Sequence, residues 1–145
     1  MASKMPDRVA AQFLELQPVL AAVSTLSRDN GRFAFHAYLT AVYRVVWHWS
    51  RKRIRKRQTK RLAYIAKADT GPNAHSFRVV IQSTYPSLEA KMASRWTRAL
   101  EFALSEEVPV SELTKYFLKS GGVATCARRA ALELPKRDTY RKSWD

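Results

Sequence analysis

A single cysteine, Cys126, is the only thiol in this chain of 145 residues. No disulfide can close within it, which excludes a small scaffold stapled for secretion. No apolar run approaches the roughly 20 residues of a membrane-crossing helix, and the opening MASKMPDRVAAQF carries no apolar core of the secretory kind. The expected location is the cytoplasm, on the nucleoid if the cell is bacterial, with no membrane partner. Acids are also scarce: 12 Asp and Glu stand against 26 Lys and Arg. A two-metal centre would have to draw on Asp69, Glu89 or the acids between 101 and 112, whose spacing shows no plan. GxxxxGK[ST], GxGxxG, HExxH, CxxC and GxSxG are all missing, and no internal repeat is present. His36 and His48 lie twelve positions apart with no cysteine or carboxylate at ligand spacing, so they read as structural histidines. An enzyme is not expected, nor a cofactor or bound metal.

What the chain has in excess is positive charge. Its formal net charge is +14 and its pI is about 10.4. A hydrophobic fraction of 46% with 11% aromatics excludes a disordered polycation, so this is a folded basic protein of single-domain size. The charge is concentrated in residues 51–67, RKRIRKRQTKRLAYIAK, which hold nine Lys or Arg and no acid. That stretch carries +9, leaving +5 for the rest. A like-charge block of this density repels itself and attracts a polyanion, of which a nucleic-acid backbone is the first candidate. A solvated face and a nuclear localisation signal are the blander readings of the same residues. Apolar residues at helical spacing flank the block: Leu39, Val42, Val46 and Trp49 upstream, Leu62, Ile65 and Ala66 downstream. Gln58 and Thr59 read as the break, Thr59 serving as cap for a helix over 59–68.

Elsewhere the pattern is helical. Val9, Phe13 and Leu16 form a short stripe, and Pro18 suits the first turn of a following helix to residue 26. Residues 33–49 read as a buried helix despite a Val, Tyr and Trp content that would suit a strand, with Trp47 and Trp49 either anchoring the basic segment or stacking on bases. The cluster Asp69, Thr70, Gly71, Pro72 and Asn73 is a breaker, after which a helix from near Ala74 carries Phe77, Val80 and Ile81 on one face. Two short helices across a tight turn match a helix-turn-helix, whose second member would offer His75, Ser76, Arg78 and Gln82 to base edges; a plain hairpin, or a strand at RVVIQ, is the alternative. Residues 87–104 read as the clearest helix, capped by Ser87, with Lys91, Arg95 and Arg98 aligned as a secondary basic face. Helices over 111–119 and 123–132 follow, separated by Gly121 and Gly122. Cys126 sits among alanines, with only Arg129 near its face to lower the thiol pKa.

The expected fold is an all-α, compact bundle of about six helices with a helix-turn-helix-like pair and a protruding basic helix. One domain would span 1–134, comprising a scaffold over 1–31, the basic helix and helix pair over 33–84, and C-terminal helices over 87–134; a basic tail would occupy 135–145. The expected function is DNA binding, as a transcriptional regulator or a DNA-maintenance accessory factor, with a homodimer or a protein partner as further options. Phosphates would meet Arg51, Lys52, Arg53, Arg55, Lys56, Arg57, Lys60 and Arg61. The alternatives are an RNA-binding or ribonucleoprotein component, sharing the charge logic, and an adaptor that docks its basic helix on an acidic protein.

Overall fold

A computed structural model describes residues 9–28, 31–67 and 75–133. Among these the regular structure is helical and no strand occurs, so both stretches with strand-like composition, 33–49 and RVVIQ, are helix. Residues 9–12 are helical, and a 3-10 turn, Leu14–Leu16, leads into α1 (Gln17–Arg28). Then follow α2 (Arg32–Arg51), α3 (Arg55–Ala66), α4 (Ser76–Thr84) and α5 (Ala90–Ser105). A second 3-10 turn, Val110–Glu112, precedes α6 (Leu113–Lys119), and α7 (Val123–Glu133) completes the series. The helix start expected at Ser87 is corrected to Ala90, with Glu89 as its N-terminal flank. The breaker cluster at 69–73 and the tail at 135–145 lie outside the described residues.

One hydrophobic cluster runs from Val9 to Ala127. Its axis is α2, which buries Tyr38, Leu39, Val42, Tyr43, Val46 and Trp49 completely. The alternation of three- and four-residue steps places these side chains along a wide stripe, and α1, α3, α4 and α5 pack around it. Hydroxyls fix the packing at points where apolar contact alone would allow sliding. Tyr43 donates to the Val108 carbonyl at 2.7 Å, tying α2 to the turn after α5. Tyr38 and Thr84 hydroxyls lie 2.9 Å apart, and Thr84 also donates to the Val80 carbonyl at 2.8 Å, tying α2 to α4. Trp49 joins α2 to the N-terminal segment, its indole Nε1 donating to Glu15 Oε2 at 3.2 Å and its ring meeting Phe13. Cys126 is fully buried under α5, and burial pushes its thiol pKa up despite Arg129, which fits a packing role.

Burial also raises the Tyr38 phenol well above its usual value of 10, an effect only partly offset by the Thr84 hydrogen bond. The folded state therefore holds this proton more tightly than the unfolded chain, so the stability linked to it is complete below pH 10 and is lost as pH rises beyond that. The urea midpoint is expected to fall above pH 10, with Tyr38 contributing up to about 1.4 kcal/mol per pH unit. Tyr38→Phe should flatten that part of the fall; an unchanged alkaline slope in the variant would contradict the assignment.

Candidate nucleic-acid interface

The basic stretch is two helices, and the break between them differs from the expected one. Helix α2 ends at Arg51, Lys52 and Arg53 turn, and α3 begins at Arg55, so the interruption is at 52–54 and not at Gln58 and Thr59. The turn is a Schellman motif. The Ile54 amide donates to the Trp49 carbonyl at 2.9 Å and the Arg53 amide to Ser50 at 3.2 Å, with Arg53 left-handed at φ 59. Ile54, the one apolar residue between Arg51 and Arg61, packs against the core and seats the motif. Thr59 is no cap. It lies within α3, donating to the Arg55 carbonyl at 2.6 Å, with its oxygen 2.7 Å from that of Ser76.

Helix α3 does not protrude as a bare cationic rod. Leu62 and Ala66 are buried, Ile65 and Ala63 are partly buried, and the helix packs on α4. At about 100° per residue, Lys56, Arg57, Lys60, Arg61 and Tyr64 share an arc of about 140° opposite that seam. All five are exposed, and no acid occurs between 51 and 67. Lys67 ends the helix in a left-handed conformation at φ 54, also exposed. Lys52 and Arg53 extend the charge beyond the N-terminal end of α3, and Arg51 lies over Trp47 at 4.7 Å from the ring centroid. At the other end Arg61 covers Phe13, 4.6 Å from its centroid, and donates to the Gln12 carbonyl at 3.4 Å. Arg55 is the exception among the eight expected phosphate contacts. It is half-buried, with Nη1 lying 3.2 Å from His75 Nε2.

The four residues expected to read bases have internal roles. Ser76 is 6% exposed and pairs with Thr59, so a base edge is beyond its reach. His75 precedes α4, accepting the Phe77 amide on Nδ1 at 3.2 Å and stacking on the Phe77 ring. Arg78 is half-buried and donates to Ser94 Oγ at 2.6 Å; assigning the Gln82 amide with its oxygen toward Arg78 lets that oxygen accept from Nε and Nη2. Phe77, Val79, Val80, Ile81, Ser83 and Thr84 are buried, so α4 is an interior helix. Lys67 closes α3 in a left-handed conformation and His75 flanks the start of α4, the residues between them lying outside the described set. The contacts Arg55–His75 and Thr59–Ser76 join the N-terminal half of α3 to the start of α4, whereas a helix-turn-helix joins the end of one to the start of the next. What the described residues show of the expected pair is α3 packed on a core helix, α4.

No protein-family model, curated protein or solved structure matches this chain. The site stands on its own geometry.

Lys91, Arg95 and Arg98 are exposed along α5, as their spacing indicated, on a helix packed against α4 and α7. Trp49 is fully buried and Trp47 half-buried against Tyr43, which makes them anchors and leaves neither as an open stacking surface. The residue that sequence reasoning missed is Tyr64, 84% exposed among the α3 cations. Its signal was available: Tyr64 stands seven residues after Arg57 and four after Lys60, one helical face.

The same Schellman geometry recurs at Glu107 and Gly121, and only the last uses glycine, the residue that accepts positive φ without strain. Arg53→Gly is expected to stabilise the fold by about 0.5–1 kcal/mol. The same substitution should lower the magnitude of the salt slope for nucleic-acid binding by about 0.9, the effect of one lost phosphate contact. Thermal melting together with salt-dependent anisotropy would test both, and unchanged binding would remove Arg53 from the interface.

Proposed function

We propose that this protein binds DNA through the phosphate backbone, as an accessory factor of DNA maintenance. The observation that carries the reading is the outward face of α3, where Lys56, Arg57, Lys60 and Arg61 stand on one side of a helix whose other side is seated on the core. Like charges held together on a docked helix, with Lys52 and Arg53 continuing the row, offer a polyanion several contacts along one line. The internal roles of His75, Ser76, Arg78 and Gln82 remove α4 as a groove-reading helix, which favours an accessory role over a regulator that reads sequence through it.

Duplex binding followed by anisotropy over a range of salt tests the proposal. With five to six phosphate contacts, log K should fall against log salt with a slope of roughly −4 to −6. A flat response would reject the phosphate assignment and favour the adaptor reading, in which the basic helix meets an acidic protein. RNA shares the backbone chemistry, and the exposed ring of Tyr64 is the feature that speaks for unpaired nucleotides.

A further inference from the structure

We infer that Tyr64 and the groove beside it form a stacking site for an unpaired base, so that the DNA taken by the α3 face is a single-stranded segment. The inference rests on the DNA-binding proposal and adds the state of the DNA. Tyr64 is 84% exposed, and its side chain makes no hydrogen bond or ring contact with another described residue. Large aromatic rings gain by burial and by contact with another flat π face, so one held open in water on a docked helix is available as a platform.

The surroundings indicate which flat partner fits. A groove of about 730 Å³ opens between the N-terminal segment and the end of α3, lined by Ala11, Gln12, Ala63, Tyr64, Ile65 and Lys67. Its walls are apolar apart from the Gln12 amide, which can pair with a base edge, and the Lys67 ammonium. No acid lines it. Lys60 and Lys67 lie about 6 and 4.5 Å along the axis on either side of Tyr64, so a nucleotide stacked on the ring has a cation within reach of the phosphate on each side. Arg61, held over Phe13, closes the N-terminal flank with a further positive charge. Backbone neutralised along a ridge with a base laid on an aromatic ring is the chemistry of general single-strand binding. In a duplex the bases are stacked on one another, and this ring would have nothing to receive.

The test uses the full chain and three oligonucleotides: oligothymidylate of about 12 nucleotides, a duplex of the same length, and matching single-stranded RNA. Tyr64→Ala is expected to weaken oligothymidylate binding on the order of tenfold and duplex binding by less than about twofold, while Tyr64→Phe, which keeps the ring, binds like the parent. Because Tyr64 is exposed, melting of both variants should be unchanged. Equal loss on single strand and duplex, or no loss on either, overturns the stacking site and leaves backbone binding intact. Salt-independent binding, or none, in the parent protein overturns backbone binding first. Tighter binding of the RNA than of the DNA strand overturns the assignment to DNA.

Discussion

Replacing Lys52, Arg53, Arg57 and Lys60 together by alanine is expected to weaken nucleic-acid binding on the order of a hundredfold near 0.1 M salt and to reduce the salt slope by about 3 to 4. The four are chosen because the side chain of each is exposed and makes no hydrogen bond or ion pair to another described residue. Arg55 and Lys56 stay in place because both have contacts within the protein, and Arg61 stays because it covers Phe13. The loss should be the same for every sequence, since phosphates carry no sequence information directly. Anisotropy at several salt concentrations measures it, and a melting curve like that of the parent separates lost contacts from lost structure. Binding within about twofold of the parent would show that this face is only a solvated surface.

The largest effect on the fold is expected at Trp49. Its side chain is fully buried, it meets Phe13, it reaches Glu15, and its own carbonyl accepts the Ile54 amide that closes the turn into α3. Trp49→Ala should cost about 3–5 kcal/mol, a large share of the roughly 5–15 kcal/mol that holds a domain together. Trp49→Phe keeps most of the apolar volume and should cost about 1–2 kcal/mol. Urea unfolding followed by circular dichroism reads both. A loss below about 1 kcal/mol for the alanine variant would mean that the N-terminal segment is not packed on α2 as described.

Much of the architecture was legible because burial leaves a period in the sequence. The steps through Val9, Phe13 and Leu16, through Leu39, Val42, Val46 and Trp49, and through Trp96, Ala99, Leu100 and Ala103 all mark faces that are in fact buried. The break within the basic stretch was not legible, since neither glycine nor proline marks it and an arginine occupies the left-handed position. Only Ile54, isolated among cations, hinted that the chain turns inward there. Ser76 misled for a different reason. A small hydroxyl at the start of a helix suits a ligand as well as a neighbour, and the choice was made by Thr59, seventeen residues away in sequence. The cationic cluster itself was plain from composition, but which of its members face water depended on the phase of α3, and that phase is set by Leu62 and Ala66.

The tie between the N-terminal half of α3 and the start of α4 fixes how the cations are presented. Thr59 and Ser76 couple the basic helix to one of the most enclosed segments of the molecule, so α3 cannot tilt without disturbing the interior. The spacing of its positive groups is accordingly fixed at the backbone before any encounter. A strand taken up as proposed would do the conforming along the backbone, with the rotamers of the Lys and Arg side chains left as the protein's own share of the entropy surrendered.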